Sequence, residues 1–231
     1  MAKPDPLKLP PRIKVVAKRI AEAAGTAIDA YAREVITDEP SITDRWIGAV
    51  AEALSHAPHG YGRGATGITW EAKTLRASSG RAAEEARHGA DLLGVAEIHV
   101  GSDVVRKGFL GQAKRTEPGD VLDNNRWHEL QQQADLMLSR SPTSFVLIYS
   151  KRQGIRFIPA ISVAHLSRRD LFDFNSMPLE QFFQLHLACF IGDRRLSAPH
   201  ISTLDNLTAI EVLRDFPIDH VLQIILRSEG P

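Results

Sequence analysis

Apolar residues recur at helical spacing over residues 12–36, at Val16, Ile20, Ala24, Ala27, Ile28, Tyr31 and Val35. Pro10 and Pro11 stand where a helix can begin. The polar stretch 37–41 breaks the pattern. A second helix is expected over 41–56, capped by Ser41 or Thr43, with Trp46, Ile47, Val50 and Leu54 on its apolar side. Residues 57–67 form a glycine-rich connection. Residues 68–75 read as a strand, with a short helix as the alternative, and 82–87 as a helical turn or an edge segment. Strands are expected over 91–100 and 108–115, with Gly101-Ser102-Asp103 starting their connection, and Pro118-Gly119 marks a turn. Asp123 or Asn124 caps a helix carrying Trp127, Leu130, Ala134, Met137 and Leu138, which Ser141-Pro142 ends. Two more strands, 145–149 and one ending at Pro159, flank a turn at 151–154. A short helix over 160–167, helices over 178–190 and 204–216, and a strand or short helix over 220–227 complete the chain.

Strands interleaved with helices imply an α/β fold: a mixed central sheet with helices on both faces and additional helices at both ends. The expected division is a lead-in and helix over 1–40, a core over 41–160, and a C-terminal helical extension over 161–231 packed on the same domain. A chain of 231 residues, 43% apolar and 24% charged, suits this architecture. The 28 basic and 28 acidic residues balance, so any nucleic-acid contact must use a local basic patch. The single cysteine, Cys189, lies in the run LHLACFIG and reads as a small, buried, inert core residue. One cysteine allows no disulfide within the chain, which fits a cytoplasmic setting. No apolar run reaches the length of a membrane span.

The segment 84–115 holds the candidate chemistry. Side chains alternate faces along a strand, so Gln112 and Lys114 share a face and Ala113 takes the other. Pairing of 108–114 with 91–100 brings Asp91 to that same face. A carboxylate, an amide oxygen and an ammonium then converge, a set that suits a divalent cation beside a phosphate. Glu84 and Glu85 precede Asp91, and Glu52 lies near the end of the second helix. The following helix carries the run Gln131-Gln132-Gln133, which by itself reads as an exposed polar face. Arg63, Arg106, Lys107, Arg115 and Arg126 offer a basic rim for phosphates. Each residue also has a plain role: Asp91 caps a turn, Gln112 bridges strands, Lys114 is a surface charge.

The order helix, three strands, helix, strand, with an acid opening the second strand and Gln112-Ala113-Lys114 closing the third, resembles the PD-(D/E)xK, or restriction-endonuclease-like, nuclease superfamily. The likeness is to its QxK variant, found in Mrr-type and anti-phage effector nucleases, and it covers roughly 41–160. The resemblance implies a Mg²⁺-dependent endodeoxyribonuclease (Mn²⁺ is an alternative ion), with Asp91, Gln112 and the Ala113 backbone oxygen as metal ligands. Lys114 stabilises charge and orients water. Glu85, Glu84 or Glu52 supplies a further contact, with Gln133 in support and Arg63, Lys107, Arg115 and Arg126 toward DNA. It also implies an antiviral or restriction role, a homodimer, and a regulatory or sensor protein partner. The alternative is a catalytically silent nucleic-acid-binding or assembly subunit, which the missing second carboxylate favours.

Overall fold

The computed structural model describes residues 10–55, 68–76, 89–100, 102–196 and 218–228. Among them the chain runs α1 (Pro11–Ala32), α2 (Glu39–Ser55), β1 (Ile68–Arg76), β2 (Leu92–Val100), β3 (Asp103–Arg115), α3 (Asn124–Arg140), β4 (Ser144–Ser150), β5 (Gly154–Pro159), α4 (Ala160–His165), β6 (Met177–Pro178), α5 (Leu179–Leu187) and β7 (His220–Ser228). The strands make one mixed seven-stranded sheet of order β1-β7-β2-β3-β4-β5-β6.

Both faces of the sheet are buried. Leu92, Phe109, Leu147, Phe157 and Leu222 face a core built with α1, α2 and α5. Leu93, Leu110, Val146, Ile158 and Val221 face a second core built with α3 and α4. This explains the unbroken apolar run of β4: Phe145, Leu147 and Tyr149 serve one core, Val146 and Ile148 the other. The α/β expectation with helices on both faces holds.

Helix starts follow local chemistry. Pro11 opens α1 in the first turn, where its missing N–H costs nothing. Asp123 caps α3 by accepting the Arg126 N–H at 2.9 Å. The start of α2 differs from expectation. Asp38, not Ser41 or Thr43, is the cap, accepting the Ser41 N–H at 2.8 Å, and that hydrogen bond lowers the Asp38 carboxyl below its ordinary value. Thr43 lies inside the helix.

The larger correction concerns the C-terminal segment. β7 pairs parallel with β2 and antiparallel with β1. It therefore lies inside the sheet, and a boundary at residue 160 would divide one sheet. Of the two readings of 220–227 the strand is the one observed; a short apolar run buried on both faces carries no period that separates strand from helix. The helix expected over 204–216 lies outside the described residues. Cys189 is a second correction: α5 stops at Leu187, Cys189 turns with φ 68°, and its thiol is exposed, as is Phe190. No helix among the described residues is long and apolar enough to cross a membrane.

Candidate active site at the end of β3

β3 ends where β2 and β7 begin. Leu92 pairs with Gly111 on one side and with His220 on the other. Asp91 lies one step beyond, its N–H donating to the Gly111 carbonyl at 2.8 Å. Its partner across the ladder is then Gln112, and both fall on the α3 face. The Asp91 Oδ2 accepts one N–H from Gln112 Nε2 at 2.7 Å and the Ala113 N–H at 2.8 Å. The carboxylate thus closes the ladder where β2 departs. Gln112 thus bridges to the segment that leads into β2, while the Asp91 carboxylate accepts from β3 rather than capping a turn.

Gly89 allows α3 to approach this turn. It holds φ +67°, and a Cβ there would lie 2.3 Å from the Gln133 carbonyl oxygen. α3 consequently presents Gln133 and, one turn earlier, Glu129 to a pocket of about 160 Å³ that Asp91, Gln112 and Lys114 also line. The Gln133 Oε1 atom is buried and has no hydrogen-bond partner among the described residues. Lys114 is half-buried, and its ammonium has no hydrogen-bond or ion-pair partner among the described residues.

The opposite wall comes from α2, through Glu39, Pro40 and Thr43. A hydrogen-bonded chain fixes it to the sheet. Trp46 Nε1 donates to the Tyr149 hydroxyl at 2.9 Å, Tyr149 and Thr43 share a 2.7 Å bond, and Thr43 Oγ1 donates to the Glu39 carbonyl at 2.9 Å. Burial raises the Tyr149 phenol well above its usual range, so it stays a neutral donor. β7 supplies His220, with Asp219 directly before it. The His220 N–H donates to the Asp91 carbonyl at 3.0 Å, and its Nε2 lies 2.9 Å from Asp44 Oδ1 on α2. Among the described residues the lining carries four carboxylates, Glu39, Asp91, Glu129 and Asp219, against one ammonium, Lys114. A bare phosphate is repelled by such a set unless cations enter with it.

The structure brings together Asp91, Gln112, Ala113, Lys114 and Gln133. Glu84, Glu85 and Arg63 lie outside the described residues. Glu52 is not at this site. It lines a separate groove with Arg19, Ala23 and Thr26 between α1 and α2, about 20 Å along α2 from Glu39 at helical rise. Lys107 is no phosphate contact either. It is buried, its Nζ bonds the carbonyls of His186 and Ile191 (the latter at 2.8 Å), and burial lowers its ammonium below the ordinary value. Arg115 is exposed but engaged by the chain: its guanidinium holds the Thr37 carbonyl and its main-chain N–H donates to Glu39 Oε1 at 2.9 Å. Arg126 is exposed, pairs with Asp123 at 3.5 Å, and is not among the pocket's lining residues.

Glu39, Glu129, Asp219 and His220 were not anticipated. Glu129 had a local signal, since it stands four residues before Gln133 on one helix face. Asp219 and His220 had none, because only the pairing of β7 with β2 brings them here. No group of three or more His, Cys, Asp or Glu among the described residues is placed to hold a metal ion. Comparison with protein-family models, curated proteins and solved structures finds no match for the chain.

Proposed function

We propose that this pocket is the active centre of a metal-dependent nuclease that hydrolyses DNA phosphodiester bonds. One observation carries the reading: among the described residues the ammonium of Lys114 has no partner, and it lines the same pocket as the carboxylate of Asp91, at the end of adjacent strands. A half-buried lysine with no bonded partner among the described residues suits a ligand that brings negative charge. The donor set suits a hard cation, which prefers oxygen and commonly takes one or two carboxylates beside phosphate and water. Asp91 is the charged ligand, and the oxygens of Ala113 and Gln112 are its neutral companions. The orphaned Gln133 Oε1 lacks a donor that an ordered water would supply. Mg²⁺ or Mn²⁺ held there would polarise the phosphoryl group and lower the pKa of a bound water.

The chain's own residues divide the remaining work. Asp91 is held in one orientation by two donors on Oδ2. Lys114 offsets charge that develops on the phosphoryl oxygens. Gln133 orients a water by accepting its hydrogen bond. The acidic lining makes phosphate binding conditional on the cation, so metal and substrate enter cooperatively. The resemblance to the PD-(D/E)xK superfamily supports DNA as substrate, a cytoplasmic restriction or anti-phage setting, a homodimer for cutting both strands, and a sensor protein as activator. The silent-subunit reading has its own support, since Asp91 and Gln112 already satisfy each other. Incubation of supercoiled plasmid with Mg²⁺ or Mn²⁺ separates the two. Metal-dependent nicking or linearisation, abolished by chelation and by Asp91→Ala, is the expected result. Plasmid retention without cutting, in every metal and with candidate activators present, would establish the silent subunit instead.

A further inference from the structure

The Gln112 carboxamide sits between two oxygens of the proposed cation site. Its Nε2 is 2.7 Å from Asp91 Oδ2 and 3.5 Å from the Ala113 carbonyl oxygen. A carboxylate oxygen and a main-chain carbonyl thus converge on one positively polarised NH₂ group. These are the oxygens that the preceding proposal gives to the cation. We propose that Gln112 is a self-plug: with no cation present its amide nitrogen takes the cation's place, and it must turn its oxygen inward when a cation enters. This rests on the metal-dependent reading of the pocket and adds how that site is controlled.

Three features support it. First, the two ends of a carboxamide have opposite polarity and nearly the same shape. Half a turn about the terminal bond exchanges donor for acceptor with little change of volume, and that torsion has two broad minima. This matters because Gln112 is buried, with packed neighbours on the α3 face. Second, the present orientation is dictated by charge. An amide oxygen facing Asp91 Oδ2 would set two acceptors against each other, and only a cation between them removes that repulsion. Third, the Ala113 N–H holds Oδ2 independently at 2.8 Å, so Asp91 keeps its position when the Gln112 N–H leaves. A glutamate at 112 has no donor end and cannot plug the site. Glutamine therefore gives a site whose ligand oxygens are hydrogen-bonded at rest and which opens only when a cation, with the phosphate's help, outcompetes the amide.

The test is an NMR titration of the full chain with Mg²⁺, in the presence of a duplex oligonucleotide carrying a non-cleavable linkage. It follows the Gln112 side-chain NH₂ pair and carboxamide carbon together with the Asp91 carboxylate carbon. Gln112→Glu identifies the NH₂ pair by its disappearance. The expected result is that Asp91 and Gln112 respond with one midpoint: the hydrogen-bonded amide proton moves upfield and exchanges faster, while the carboxamide carbon shifts as its oxygen takes the cation. If Asp91 responds and the Gln112 amide does not, Gln112 is a fixed bridge and the plug is overturned while the metal site stands. If neither responds, the metal-dependent reading fails, and the plug fails with it.

Discussion

Gly89→Ala tests how the site is assembled. Gly89 sits at φ +67°, a conformation that costs an L-residue about 1–2 kcal/mol. Its absent Cβ would also lie 2.3 Å from the Gln133 carbonyl oxygen and 2.9 Å from that residue's Cα, inside the backbone of α3. Backbone cannot swing aside as a side chain can, and overpacking of this kind costs about 1–3 kcal/mol. The combined loss is about 2–5 kcal/mol, a large share of the roughly 5–15 kcal/mol that holds a typical domain together. Gly119→Ala is the matched control. Gly119 has φ +91°, but a Cβ there meets nothing within 4 Å, so it carries the backbone cost alone. Urea unfolding of both variants, followed by tryptophan fluorescence and circular dichroism, isolates the clash. Gly89→Ala is expected to fall below Gly119→Ala by about 1–3 kcal/mol. Equal losses would refute the claim that α3 packs directly on the Asp91 turn.

Other positions give independent tests. Lys107→Ala leaves the carbonyls of His186 and Ile191 without their donor and opens a cavity, so a loss of about 2–4 kcal/mol is expected in denaturant unfolding. The same variant, while folded, should bind DNA with an unchanged salt dependence, because a buried lysine releases no counterion. Tyr149→Phe strands the Trp46 N–H and should cost about 1–3 kcal/mol, read as a lower urea midpoint. His186 is held neutral by burial, with its pKa pushed down to about 3. An unfolded histidine titrates near 6.5, so between about pH 6.5 and 3 the unfolded state binds the extra proton. That stability is present above pH 6.5 and is lost as pH falls, by up to about 1.4 kcal/mol per pH unit. His186→Leu should remove this slope from unfolding curves taken across that range, and an unchanged slope would contradict it.

Much of the site was legible because a strand's alternation is strict. Once β2 and β3 were read as a hairpin, Asp91, Gln112 and Lys114 had to share one face, and they do. Gln133 came from the family resemblance alone, and its place in the pocket depends on the close approach of α3 to Gly89. What failed depended on long-range placement. Lys107 looks like a rim charge beside Arg106 in sequence, yet it is one of the residues whose side chains turn into the sheet's covered face. Arg115 follows Lys114 directly, but alternation turns it toward α2, where Thr37 and Glu39 satisfy it. β7 was ambiguous because burial on both faces erases the polar half of a strand's pattern. With it went Asp219 and His220, whose place beside Asp91 comes from pairing across more than a hundred residues. Cys189 was misjudged because the apolar run LHLACFIG outlasts the helix that buries its first half.

The most direct test of the central claim is Lys114→Ala, with plasmid cleavage and thermal unfolding measured on the same preparation. Lys114 bonds to nothing among the described residues, so the substitution leaves the fold intact and the unfolding midpoint unchanged. If Lys114 stabilises charge on the phosphoryl group, metal-dependent cleavage falls by about 10²–10³-fold, the usual cost of removing one preorganised electrostatic partner. Cleavage that persists at the wild-type rate, with the midpoint unchanged, would contradict the account and move the chemistry away from the end of β3.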